Sequence, residues 1–290
     1  LKLAYLSYDY HMHYLTFVTS KPQIDFDLKI KQIPFEHRQV LDDRAVRWRI
    51  KNPLEKSAIE SIRREFHIDV FQTDGAPIKL FMADMDSTIV SGETLDDMAD
   101  LVGIGDKVAE ITARAMRGEL NFESAIDERV GLLKGMSTDI IDTALSEMKI
   151  NDGARELLAH LKSNNVYCVL ISGGFTQFTS AVADDLGFDA NFGNELIIDN
   201  NTLTGTVKRP ILDKNFKLQK LKDLKSFMNL KTENIMAIGD GANDLPMLSS
   251  AGHGISYHGK PLLKDSLVNQ IHYTDLSSLI YVIEPHNISS

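Results

Sequence analysis

The sequence predicts an α/β protein in two parts: a small α+β segment over residues 1–77, then a parallel sheet with helices on both faces over residues 78–290. Two observations carry the larger part. From Lys79 onward, short apolar runs alternate with stretches of helical spacing, an alternation that builds a Rossmann-like parallel sheet covered by helices. It is broken once, over residues 94–148, by helical spacing with nothing strand-like, which reads as a helical bundle inserted after the first strand as a lid. A third observation separates the first segment: before residue 77, apolar and β-branched stretches surround a single helical pattern.

In that first segment, strands are expected at residues 3–8, 13–19, 27–34 and 45–50. Pro53 opens a helix whose Ile59, Ile62 and Phe66 share one face, proline being tolerated in a first turn, and a strand at 68–71 follows. This strand–helix–strand ending resembles the second half of an ACT-type amino-acid-binding domain, which implies a regulatory role. Thr73-Asp74-Gly75-Ala76-Pro77 is rich in turn residues and serves as the linker. Beyond it, strands are expected at 80–83, 166–171, 235–238 and 253–256, with helices between them at 153–161 and 218–228. The insert divides into four amphipathic helices, 94–102, 106–117, 122–133 and 138–148, giving a cap over about residues 92–150.

Composition narrows the class of protein. At 43% hydrophobic and 25% charged, 290 residues can bury a sizeable core. No apolar run approaches the roughly 18 residues of a membrane helix, so no membrane partner is expected. The first 20 residues carry Lys2, Asp9, His11 and His13 and do not read as a signal peptide. A lone cysteine, Cys168, cannot form an internal disulfide; a reducing, cytoplasmic location is expected. The net charge is −10, with 12 Lys/Arg against 11 Asp/Glu in residues 1–77 and 19 against 30 in the rest. So acidic a body argues against nucleic acid, which is bound through clustered Lys and Arg.

Three motifs carry chemistry. The strand at 80–83 runs into Asp84-Met85-Asp86-Ser87-Thr88, at the carboxyl end of a parallel strand, where ligands bind. Carboxylates at i and i+2 of an extended chain point the same way, which suits a metal site or a nucleophile with an acid–base neighbour. Ser172-Gly173-Gly174 follows the apolar run Val169-Leu170-Ile171 and offers a hydroxyl and free amides, either an anion site at a helix N-terminus or a plain turn with Ser172 as its cap. Gly239-Asp240-Gly241-Ala242-Asn243-Asp244 crowds acidic and amide side chains into one turn after the third strand. Lys217 lies in the helical segment before it.

In this order, the motifs resemble those of the haloacid-dehalogenase superfamily of aspartyl-phosphate enzymes. The cap narrows the resemblance to phosphoserine phosphatases: Glu93, Leu120-Asn121-Phe122-Glu123, Arg129-Val130, Leu132-Leu133-Lys134 and Ser172-Gly173-Gly174-Phe175 are similar to that family's motifs. The likeness runs from about Lys79 to the C-terminal region.

The resemblance implies that Asp84 attacks phosphorus to become an aspartyl phosphate, while Asp86 protonates the leaving serine oxygen and then activates water. It also implies Mg²⁺ held by Asp84, the backbone carbonyl of Asp86 and Asp240, an oxygen set suited to a hard cation. Ser172, the Gly173 amide and Lys217 would bind the phosphoryl group, with Asn243 nearby. Glu93 would pair with the substrate ammonium and Arg129 with its carboxylate, while Met116 and Phe122 would line the pocket. The charges fit this reading. Asp84, Asp86, Glu93, Asp240 and Asp244 against Lys217 and Arg129 leave a net of about −3, and a dication brings that to about −1 for a phosphate dianion.

Other residues have plainer readings. His11 and His13 are surface histidines without an acidic or cysteine partner, His253 and His258 have no chemical task, and Cys168 is a small core residue. The expected partner is the small molecule phosphoserine, with a homodimer left open. One rival reading is a phosphotransferase passing its aspartyl phosphate to an alcohol such as homoserine. Another is an amino-acid sensor with a vestigial phosphatase body, against which the intact set Asp84, Asp86, Lys217 and Asp240 argues.

Overall fold

The structure, a computed structural model, describes residues 12–23, 30 and 33–283, with the side chain of Met116 excepted. The expected strand at 3–8, most of the one at 27–34, and His11 lie outside the described residues. The first part holds β1 (His13–Val18), β2 (His37–Val40), β3 (Ala45–Ile50), α1 (Lys56–Phe66) and β4 (Asp69–Thr73), in an antiparallel sheet ordered β2-β3-β1-β4. Alternation along each strand divides its side chains between two cores. Leu15, Phe17, Val46, Trp48 and Val70 pack with Ile59 and Ile62 of α1, while Val18, Ala45 and Phe71 join the core of the larger part. β2, a polar edge strand of sequence His-Arg-Gln-Val, shows no apolar run, so hydrophobic patterning did not reveal it.

The edge of this sheet is tied to the larger part by polar contacts that need tertiary structure. The buried Asp69 accepts the backbone amides of His272, Tyr273 and Thr274 and the Thr274 hydroxyl (2.6 Å). The Asn269 side chain pairs with both backbone groups of Gln72. Each such bond is worth about 1 kcal/mol net, rather more where the acceptor is charged.

The larger part begins with β5 (Leu80–Ala83), an irregular turn at Met85–Ile89, and β6 (Val90–Ser91). The cap follows: α2 (Thr94–Leu101), α3 (Gly105–Met116), α4 (Phe122–Gly131) and α5 (Asp139–Glu147), the four helices read from the sequence. β7 (Lys149–Ile150) pairs with β6, so a two-stranded neck closes the insert. The chain continues through α6 (Ala154–Ser163), β8 (Tyr167–Phe175), α7 (Thr176–Leu186), β9 (Ala190–Asn194), β10 (Leu196–Asp199), β11 (Thr202–Val207) and α8 (Lys214–Phe227). It ends with β12 (Ile235–Gly239), α9 (Leu245–Leu248), β13 (His253–Tyr257), α10 (Pro261–Ser266), β14 (Asn269–Ile271) and α11 (Ile280–Ile283).

The main sheet is parallel and ordered β14-β13-β12-β5-β8-β9. β5 has β8 on one side and β12 on the other, so the chain departs from it in both directions. Such a switch point opens a crevice at the carboxyl ends of those three strands. β10 and β11 form a hairpin whose turn residues, Asn200 and Asn201, both take positive φ (48° and 58°), as a two-residue hairpin turn requires. The hairpin grips the cap: Gly135 N donates to Leu203 O, Leu203 N to Met136 O, and Thr138 N to Asn201 O.

Candidate active site

The carboxyl ends of β5, β8 and β12 deliver Asp84, Ser172 and Asp240 to one crevice, and α8 brings Lys217 to its floor. The Lys217 Nζ lies 2.6 Å from Asp84 Oδ1 and 2.7 Å from Asp244 Oδ1, all three residues being buried. Burial works against the lysine's charge, yet Asp244 and Asp84 outweigh it and hold its pKa above the ordinary value. Asp84 is pushed well above the usual carboxylate range, first by burial and then by the Asp244 charge, with Lys217 opposing. Its Oδ1 also accepts the Met85 amide (2.9 Å), which fixes the plane of the carboxylate.

Asp86 faces the opposite wall. Its Oδ2 accepts the Ser172 hydroxyl (2.8 Å) and its Oδ1 accepts the Thr94 amide (3.0 Å) at the start of α2, so one carboxylate touches both the core and the cap. Ser172 Oγ in turn accepts the Gly174 amide (2.7 Å). A Cβ on Gly174 would come within 2.8 Å of Asp86 Oδ2, so only glycine admits this approach. β8 runs through Ser172, Gly173 and Gly174 to Phe175, which is the cap residue of α7. Ser172 is therefore not the cap of α7.

The third motif fills the remaining side. Oxygen atoms of Asp84, Asp240 and Asp244 lie within 4.8 Å of one another, and all three residues are buried. Asp240 is also raised above the ordinary carboxylate range, chiefly by burial. Hard oxygen donors this closely crowded, with protonation favoured by burial and mutual repulsion, fit a small divalent cation. Asn243 Nδ2 donates to Asp244 Oδ1 (3.3 Å), and a Cβ on Gly239 would meet the Asp244 carboxylate at 2.6 Å.

The cap supplies the roof. Glu93, the residue before α2, accepts the Ser87 hydroxyl (3.2 Å), and its pKa is pushed up to about 7 by desolvation and then by the Asp86 charge. Phe122 opens α4, capped by Asn121, and its ring edge lies 3.2 Å from where a Cβ on Gly173 would be. Arg129, on the same helix, bonds to Asp96 of α2 (2.8 Å). Met116 closes α3, but its side chain lies outside the described residues.

Two residues, Lys260 and Asn194, escape the sequence reading of the site, and a third gains a role. Asp244, which the sequence places in the third motif without a role, is a member of the oxygen cluster and a partner of Lys217. Lys260 stands 3.4 Å from Asp240 Oδ2, and its amide donates to the Asp240 carbonyl; a lysine 20 positions from its partner gives no local signal. Asn194 is buried and pins the loop, its amide donating to the carbonyls of Gly173 and Leu212 while Leu212 N donates to it. Cys168 is the core residue expected, its thiol pushed up to about 12 by burial.

A hydrolase-like α/β body, a helical cap and a Lys-bridged carboxylate pair define the class. The model of the haloacid dehalogenase-like hydrolases matches residues 81–249, and the chain belongs to that family. Within it, the chain is 37% identical to a phosphoserine phosphatase of Archaeoglobus fulgidus over 84% of its own length and 69% of the relative's. It is 40% identical to a phosphoserine phosphatase of Streptococcus thermophilus, over 71% of this chain and 95% of that one. Among solved structures, a haloacid dehalogenase-family hydrolase from Salmonella enterica serovar Typhi superposes with a TM-score of 0.88 at 30% identity, covering 95% of this chain and 99% of that one.

Proposed function

We propose that this chain hydrolyses O-phospho-L-serine to serine and phosphate, the closing step of serine synthesis, with Mg²⁺ as its cation and the cytoplasm as its site of action. The observation that carries this reading is the pairing of Asp84 with Lys217 on the crevice floor, opposite an Asp86 that touches both core and cap. Among the described residues, no helix is long and apolar enough to cross a membrane.

Asp84 Oδ1 is held by Lys217 and Met85, so Oδ2 is the oxygen that attacks phosphorus. The bond from phosphorus to the serine oxygen breaks, and Asp86 gives that oxygen its proton. A water molecule then attacks the phosphoryl group while Asp86 takes its proton; the bond between phosphorus and Asp84 breaks, phosphate leaves, and the site returns to an ionised Asp84 and a protonated Asp86. Ser172, the Gly173 amide and Lys217 orient the phosphoryl oxygens, with Asn243 beside them. Asp84, Asp240, Asp244 and the carbonyl of Asp86 would hold the cation, which when bound neutralises phosphate charge as a Lewis acid. Glu93 and Arg129 hold the ammonium and carboxylate of the substrate, against a pocket wall that includes Phe122.

Residues 1–77 are assigned an α+β unit with a regulatory role. The ACT-like assignment draws support from the antiparallel order β2-β3-β1-β4, and the cap limits of about 92–150 from the neck of β6 and β7.

A panel of phosphorylated amino acids and sugars, with and without Mg²⁺, tests the assignment. Phosphoserine should give the highest kcat/KM and require the cation. Preference for a sugar phosphate, or full activity after exhaustive chelation, would overturn it. Adding homoserine separates hydrolysis from transfer, since hydrolysis releases one phosphate per serine whatever alcohol is present.

A further inference from the structure

Recognition of the substrate carboxylate rests on Arg129, and the residues around that side chain indicate what aims it. Arg129 stands seven positions after Phe122 on α4, so both side chains leave nearly the same face of the helix. Phe122 approaches Gly173 of the core, which places that face towards the crevice. Across from it, Asp96 lies three positions after Glu93 at the start of α2, and its Oδ1 takes the Arg129 Nη2 at 2.8 Å.

The burial of this pair is uneven. The Arg129 side chain is 18% exposed and that of Asp96 is 42% exposed. The Arg129 Nε is buried and has no hydrogen-bond partner. The pairs Arg114–Glu128 and Arg117–Glu119 of the same cap have side chains 35% or more exposed and make ordinary surface contacts. Arg129 is thus held on one nitrogen by a neighbouring helix while another N–H, shielded from water, lacks an acceptor. A guanidinium presents its donors as a rigid planar fork, so fixing Nη2 fixes the direction of the rest. Arg49 Nε and Arg63 Nε are also buried without a hydrogen-bond partner, but of the three only Arg129 shares a helix face with Phe122 at the crevice, where a ligand can complete its donors.

We propose that Asp96 is a positioning residue, holding the Arg129 guanidinium so that its open edge receives the substrate carboxylate. This rests on the phosphoserine reading above. Asp96 acts through Arg129 and makes no contact with the reacting atoms. Its role differs from that of a competitor, which would occupy the arginine until substrate displaced it. Removing a guide weakens substrate binding, whereas removing a competitor strengthens it.

The test compares Asp96→Ala, Asp96→Asn, Arg129→Ala and the double variant Asp96→Ala/Arg129→Ala, on phosphoserine and on p-nitrophenyl phosphate, which has no carboxylate. With Asp96→Ala, KM for phosphoserine should rise roughly tenfold with a smaller change in kcat, since a misaimed contact is lost on binding. kcat/KM for p-nitrophenyl phosphate should fall much less. Asp96→Asn keeps an acceptor at the same place and should recover most of the loss. In the Arg129→Ala background, Asp96→Ala should add little, because both act through one contact. An unchanged or lowered KM for phosphoserine in Asp96→Ala would overturn the proposal, as would equal losses on the two substrates or additive losses in the double variant. If Arg129→Ala fails to separate the two substrates, the carboxylate reading itself falls. If Arg129→Ala separates them and Asp96→Ala does not, only the role of Asp96 falls.

Discussion

The floor of the crevice and its roof are built differently. On the floor, Asp84, Asp244 and Lys217 are buried and joined by short ion pairs, with the two carboxylates fixed by the backbone amides of Met85 and Gly241. In the roof, Glu93 and Arg129 belong to a cap joined to the sheet through a two-stranded neck and steadied by a hairpin, and their partners are more exposed. On the proposed reading, the floor handles phosphoryl transfer, where small displacements are expensive, and the roof reads the remainder of the substrate.

The largest expected effects break the floor. Asp84→Asn should show no turnover, because an amide cannot form the acyl phosphate; phosphate release within tenfold of wild type would end the covalent mechanism. Asp86→Asn should still bind phosphoserine but turn over more slowly by about 10²–10⁴-fold, the usual worth of acid–base assistance, as rapid-quench assays would measure.

Changes in the roof should be smaller and selective. Arg129→Ala removes the proposed partner of the substrate carboxylate, with an expected loss of about 2–5 kcal/mol, or one to four decades in kcat/KM for phosphoserine. p-Nitrophenyl phosphate should lose far less, and equal losses in a folded variant would erase the distinction between floor and roof. Glu93→Gln should act in the same sense through the ammonium with a smaller loss, since an amide can still accept a hydrogen bond.

The smallest effect is one of stability. Glu93 titrates at about 7 in the fold against an ordinary value of 4.5. Between those values the folded state of the metal-free protein binds more protons than the unfolded state. The contribution is fully present below about 4.5 and is lost as pH rises to about 7. Thermal unfolding in chelator should show Tm falling over that window, and Glu93→Gln should flatten part of the fall. Identical slopes would mean that Glu93 is not held in a carboxylate-rich pocket.

The first sheet bears on how these experiments are done. A chain starting near Gly75 looks permissible from sequence, because every motif lies beyond it. The buried Asp69 and the core contribution of Val18, Ala45 and Phe71 argue that such a chain is destabilised, although its crevice residues are complete.

The sequence by itself determined the parallel sheet, the four-helix insert and the motifs at the strand ends. Each is a local pattern: apolar runs of strand length, helical periodicity, and glycine–carboxylate turns directly after β5 and β12. It also determined the order in which Asp84, Ser172, Lys217 and Asp240 occur. It did not reveal β2, β9 or β14, since short edge strands such as His-Arg-Gln-Val or Ala-Asn-Phe-Gly-Asn lack the apolar signal of a buried strand. Only tertiary structure decided that Lys217 bridges Asp84 and Asp244 across 133 and 27 residues, and that Asn194 and Lys260 serve the crevice. Likewise, Asp96 meets Arg129 only because the folded cap brings together residues 33 positions apart on α2 and α4. These contacts depend on which elements the sheet order makes neighbours, and periodicity within one segment carries no record of that.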